Sequence, residues 1–178
     1  PPLRSLEAIP HNLPQQVTSF IGRERELAQA RALLGPARLV TLVGPGGIGK
    51  TRLSLQIAAD LLDSFPDGAW LVELASIVDA ALVPTAVAQV LGLQEAADGS
   101  VIPAVCEHLA SRRLLIVLDN CEHLVDACAG LVDAILRAAP SVHILVSSRE
   151  PLNVAGEQTY PLPPLALPGL DSRAEEAA

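Results

Sequence analysis

Gly44-Pro45-Gly46-Gly47-Ile48-Gly49-Lys50-Thr51 carries the spacing G-x-x-x-x-G-K-[ST], and every residue type in that pattern has a use toward a phosphate. The glycines let the backbone wrap closely around phosphate oxygens with its N–H groups pointing inward. Lys50 brings an ammonium within reach of β- and γ-phosphates, and the Thr51 hydroxyl is a suitable Mg²⁺ ligand. Lys50 is the only lysine of the chain. Arginine supplies every other fixed positive charge, so one compact ammonium stands at the one place where a phosphate would need it.

Three more positions have matching chemistry. The apolar run Arg113–Leu118 leads into Asp119-Asn120, and an acid at the end of such a strand can hold Mg²⁺ or its water opposite the loop. Asn120 occupies the place where a second acid would polarise an attacking water; an amide orients water but does not accept its proton. Slow hydrolysis is therefore expected. Glu122 could substitute for that acid, or could simply be a first-turn acid of the following helix. Ser147-Ser148-Arg149-Glu150 follows the apolar run Val142–Val146. Arg149 can contact a γ-phosphate and register its loss, or else pair with Glu150 or Glu157.

The elements that must position these residues follow from periodicity. Leu39–Val43 reads as a strand feeding the loop, and Leu53, Ile57 and Leu61 recur at helical spacing after it. The helix beginning near Lys50 turns the positive end of its dipole toward the same anion site. Strands are expected near 38–43, 69–74, 113–118 and 142–146, with a short fifth at Thr159–Pro161. Helices are expected near 24–34, 50–62, 80–92, 101–111 and 122–138. This alternation predicts an α/β fold with a three-layer parallel sheet of about five strands and right-handed crossovers. In such sheets ligands gather at the carboxyl ends of the strands, which brings Asp119, Arg149 and the loop to one crevice.

Composition narrows the classes. A chain of 178 residues, half of them hydrophobic and 2% aromatic, fills one domain with an aliphatic core. Its net charge of -8 opposes nonspecific binding to nucleic acid, so any DNA contact is expected through other domains of a larger protein. The uncharged stretch Ala80–Gln94 is too short for a bilayer and contains Pro84, and no signal segment opens the chain. Cys106, Cys121 and Cys128 lack disulfide spacing, which suits a reducing cytoplasm. Cys106-x-His108 and Cys121-x-His123 resemble halves of a zinc site, but residues two apart on a helix face different sides. Residues 1–19, with four prolines, read as a linker or lead-in, and the chain reads as a piece of something longer.

Taken in order, Gly44–Thr51, Leu118-Asp119-Asn120-Cys121-Glu122-His123-Leu124 and Val146-Ser147-Ser148-Arg149-Glu150-Pro151-Leu152 resemble the STAND class of signal-transduction P-loop ATPases. The resemblance is to an NB-ARC-like domain as found in large bacterial transcriptional regulators of the SARP or large LuxR type. Asn12-Leu13-Pro14, Phe20-Ile21-Gly22-Arg23-Glu24, Pro66–Ala75 and Gly156-Glu157 with Tyr160 fit the same pattern, which covers about residues 12–167. It implies a P-loop NTPase fold with strand order 5-1-4-3-2, a nucleotide-binding domain over 20–167 and the beginning of a truncated helical lid at 168–178. It also implies that Ile21, Gly22 and Arg23 cradle adenine, largely through their backbone; without it, Gly22-Arg23 is only a turn before a helix. Pro45, Gly46, Gly47, Ile48, Gly49, Lys50, Thr51 and Arg52 would line the phosphates, Thr51 and Asp119 would hold Mg²⁺, and Arg149 would be the sensor. The Gly-Leu-Pro-Leu type motif of the lid is absent from the sequence.

The expectation is a cytoplasmic ATP/ADP-binding switch that hydrolyses slowly and self-associates according to its nucleotide. A fast AAA-type ATPase and an ADP-locked scaffold are the rival readings.

Overall fold

The structure is a computed structural model that describes residues 8–15, 22–94 and 98–164. Strands β1 (Leu39–Val43), β2 (Ala69–Glu73), β3 (Leu115–Asp119), β4 (His143–Ser148) and β5 (Glu157–Pro161) form one sheet in the order β2-β3-β4-β1-β5. Every neighbouring pair is parallel. This is the expected order 5-1-4-3-2, read from the other edge.

Helices α1 (Glu24–Leu33) and α2 (Lys50–Asp60) cover one face of the sheet; α3 (Val83–Val90), α4 (Val101–Leu109) and α5 (Val125–Ala138) cover the other. With helices on both faces, the central strands β1, β3 and β4 are buried and mostly apolar, the buried polar groups Asp119, Ser147 and Ser148 falling at the carboxyl ends of β3 and β4. In β3, Leu115 and Val117 pack toward Leu53 and Ile57 of α2, while Ile116 and Leu118 join the core beneath Cys128, Leu131 and Ile135 of α5.

Differences from the expected elements have local causes. The helix expected from 80 begins as a 3-10 turn at Ala80–Leu82, capped by the Asp79 carboxylate. Helix α3 follows with Pro84 in its first turn, where a missing N–H costs nothing. Helix α5 starts at Val125, not 122, because Cys121–Leu124 closes a turn in which the Leu124 N–H bonds to the Cys121 carbonyl. Glu122 therefore lies ahead of the helix, and Asp126 is its first-turn acid.

Within the lead-in, Pro10–Asn12 lies along the edge of β2. His11 bridges to Ala69, and the Asn12 amide bonds both backbone groups of Leu71, accepting from its N–H at 2.6 Å and donating to its carbonyl at 2.9 Å. This segment satisfies part of the backbone edge that β2 would otherwise expose.

Candidate phosphate-binding site

Register decides which strand ends meet. Strand β4 lies between β1 and β3, with Val43 opposite Ser148 and Leu118 opposite Val146. Beyond the paired residues, the Gly44 N–H bonds to the Ser148 carbonyl and the Cys121 N–H to the Ser147 carbonyl. The loop after β1 and the residues just beyond β3 thus share one crevice of about 300 Å³, lined by Gly46, Gly47, Gly49, Lys50, Thr51, Arg52, Asn120 and Glu122. Asp119 and Arg149 do not line it but adjoin it through Thr51 and Glu122 respectively.

Helix α2 starts immediately after Gly49, which holds φ 95° and offers no side-chain cap. Only glycine adopts that backbone without strain, and the helix's first N–H groups stay available to an anion. Lys50 is buried, with Nζ donating to the carbonyls of Gly44 at 2.7 Å and Pro45 at 2.8 Å. The ammonium is held against the loop it would serve.

The Thr51 hydroxyl lies 2.8 and 3.0 Å from the two carboxylate oxygens of Asp119. Asp119 is itself buried and also accepts from Ser147 Oγ. A hydroxyl beside a carboxylate is a hard oxygen pair of the kind Mg²⁺ selects. Ser147, completely buried, was not singled out from the sequence. Its Oγ accepts the Asn120 N–H at 3.0 Å, so its one proton goes to Asp119 and fixes the direction of the network. The signal in the sequence is a pair of hydroxyl residues, Ser147-Ser148, closing the apolar run of β4.

Asn120 has φ 60°, a left-handed backbone that asparagine tolerates better than most residues. Its amide points toward Asp119, with Nδ2 3.4 Å from Oδ2. Next in the chain, Cys121 is buried, and its thiol is pushed up by a hydrogen bond with Cys128 and by burial. Among the described residues no group of three or more His, Cys, Asp or Glu could hold a metal ion.

Arg149 reaches back over the loop. A Cβ added at Gly46 would lie 3.1 Å from its Nη2. Its ion pair is with neither Glu150 nor Glu157 but with Glu122, Nε to Oε1 at 3.9 Å. Glu157 is occupied elsewhere, accepting from Thr41 Oγ1 and from the N–H groups of Leu152 and Asn153.

Of the expected adenine cradle, Ile21 lies outside the described residues. Gly22 has φ 86°. The Arg23 side chain is buried and donates to the Ile48 carbonyl at 2.8 Å and the Pro163 carbonyl at 2.5 Å. It ties the lead-in to α1, the phosphate loop and the segment after β5 together, which sequence spacing did not indicate.

Fold and site define a P-loop nucleotide-binding domain. The chain belongs to the NB-ARC domain family, whose profile matches residues 25–158. It is 42% identical over 160 residues to an uncharacterised protein of Mycobacterium tuberculosis, covering 90% of this chain and 41% of that one. It is 45% identical over 137 residues to a protein of the same organism named as an HTH-type transcriptional regulator, covering 77% of this chain and 15% of that one. The chain thus spans less than half of the first relative and about a seventh of the second. Among solved structures it is similar to a STAND protein with a tetratricopeptide repeat sensor from Pyrococcus horikoshii, with TM-score 0.60, 17% identity, and 84% of this chain and 24% of that chain covered. At that identity the likeness is one of fold. No helix among the described residues is long and apolar enough to cross a membrane.

Proposed function

We propose that the chain is the nucleotide-switch domain of a larger signal-responsive transcriptional regulator, binding ATP or ADP and hydrolysing ATP slowly. The observation that carries this reading is the Thr51–Asp119 pair beside Lys50 at the start of α2. These groups match the needs of a nucleotide's phosphate end: backbone N–H groups, one ammonium and a hard-oxygen metal pair. Thr51 and Asp119 would hold Mg²⁺, which when bound neutralises charge on the β- and γ-phosphates. Lys50 would exchange the carbonyls of Gly44 and Pro45 for phosphate oxygens, and Pro45–Arg52 would line the phosphate chain. Ile21, Gly22 and Arg23 would flank the base. Arg149 would bond to the γ-phosphate and lose that bond on hydrolysis, which gives the two nucleotides the differential affinity that a switch requires.

The mycobacterial relative named as an HTH-type regulator supports a role in transcription control. DNA contact would then belong to other parts of the protein, consistent with the acidic charge of this one. We place residues 1–19 as a lead-in, 20–167 as the nucleotide domain and 168–178 as the start of a lid. A cytoplasmic location and nucleotide-dependent self-association complete the proposal.

Calorimetry tests it directly. ADP and ATP should bind in the presence of Mg²⁺, and Lys50→Ala should abolish binding; equal affinity in the variant would overturn the assignment. Rapid steady-state turnover would favour a motor-like ATPase, and co-purified ADP that fails to exchange over hours would favour a locked scaffold.

A further inference from the structure

The described residues lining the crevice supply an ammonium, a guanidinium, a hydroxyl, an amide and one carboxylate, that of Glu122. Asp119 is committed to Thr51 and Ser147 and lies at the metal position. Asn120 cannot take a proton from water at neutral pH and directs its amide to Asp119. Glu122 is thus the group of the right chemistry in the right place.

Its surroundings set it apart from an ordinary surface acid. The side chain is about one-fifth exposed, and Oε2 is enclosed with no hydrogen-bond partner among the described residues. Enclosing a carboxylate oxygen without a donor is unfavourable, and folded proteins rarely leave one so. Glu122 precedes α5 rather than forming part of its first turn, so helix capping does not account for it. Its other oxygen faces Arg149, whose guanidinium also lies against Gly46 of the phosphate loop.

Building on the nucleotide-switch reading, we propose that Glu122 is the carboxylate that activates the hydrolytic water, and that Arg149 holds it idle until a γ-phosphate draws the guanidinium away. In the step, the water oxygen bonds to the γ-phosphorus while the bond from phosphorus to the β,γ-bridging oxygen breaks. The electron pair of that bond leaves with ADP. The water's proton passes to the Glu122 carboxylate and from there to the released phosphate. Arg149 is shared between two anions: bound to the γ-phosphate it no longer pairs with Glu122. Because Arg149 is two-thirds exposed at its ion-pair distance of 3.9 Å, the contact is weak enough to be displaced.

The experiment is single-turnover hydrolysis of Mg-ATP by the chain and its Glu122→Gln, Glu122→Asp and Asn120→Asp/Glu122→Gln variants, with Mg-ATP and Mg-ADP affinities measured alongside. Glu122→Gln should lower the hydrolysis rate by about 10²–10⁴-fold, the usual range for loss of a general base. Glu122→Asp should be intermediate. The double variant, with its carboxylate restored two positions away, should recover at least about ten-fold of the loss. Glu122→Gln should also raise the preference for ATP over ADP several-fold, since Arg149 no longer has to leave a carboxylate; a merely structural glutamate would not change that ratio. Wild-type hydrolysis rates in Glu122→Gln with nucleotide bound would overturn the proposal, as would a wild type that binds ATP but leaves it intact for hours. If Glu122→Gln proves unstable, a Glu122→Asp variant that folds and hydrolyses at the wild-type rate with an unchanged ATP/ADP ratio overturns it equally. Failure of the wild type to bind either nucleotide would instead sink the underlying nucleotide-switch reading.

Discussion

The hydroxyl of Thr51 lies within 3.0 Å of both carboxylate oxygens of Asp119, joining the first turn of α2 to the last residue of β3 across 68 positions of chain. If this pair holds Mg²⁺, Thr51→Val keeps the shape of the side chain and removes the ligand. Its ADP affinity should become the same in Mg²⁺ and in EDTA, whereas the wild type should bind more tightly in Mg²⁺. The stability cost should stay near ~1–3 kcal/mol, the range for one hydrogen bond to a charged group, because Ser147 still donates to Asp119. Calorimetry with and without chelator decides it; a persistent Mg²⁺ effect would move the metal elsewhere.

Asn120 should keep turnover below about 1 s⁻¹, the lower end of ordinary enzymes. Asn120→Asp should raise the single-turnover rate. The left-handed backbone at φ 60° accepts aspartate nearly as well as asparagine, so the fold should survive the change. Turnover of tens per second in the wild type would contradict the expectation.

Arg149→Ala should weaken ATP by ~1.5–3 kcal/mol, the worth of a hydrogen bond to a charged group, and leave ADP nearly unchanged. The arginine follows the last residue of β4, and its guanidinium lies 3.1 Å from where a Cβ on Gly46 would be, on the side of the loop where a third phosphate would extend. Its ion pair with Glu122 is long and largely exposed, so the melting temperature should barely move. An unchanged ratio of ATP to ADP affinity would remove Arg149 from the sensor role.

Gly68→Ala should destabilise the fold without touching the site. The residue holds φ 103°, and a Cβ there would meet the Pro10 carbonyl oxygen at 2.0 Å. Backbone strain alone costs ~1–2 kcal/mol, and the Pro10–Asn12 segment would have to leave the edge of β2. Denaturant melts should show the loss; nucleotide affinity, measured at the opposite ends of the strands, should be unchanged.

What the sequence determined by itself is what short-range pattern can specify. The G-x-x-x-x-G-K-[ST] loop, the apolar run ending in Asp119 and the arginine after the fourth strand are contiguous signals, and hydrophobic periodicity separates strands from helices without any tertiary contact. Strand order followed from the resemblance those signals carried. Element ends shifted where local hydrogen bonding competed: the turn at Cys121–Leu124 delayed α5, and Asp79 began a 3-10 turn ahead of α3. Only the tertiary structure decided the partners. Arg23 bonds to Ile48 and Pro163, Ser147 to Asp119, Asn12 to Leu71, and Arg149 to Glu122 rather than to Glu150 or Glu157. Each of these joins groups at least 25 residues apart. A side chain's choice among distant acceptors depends on which segments the sheet sets side by side, and the placement of β4 beside β3 makes that choice for Ser147 and Arg149.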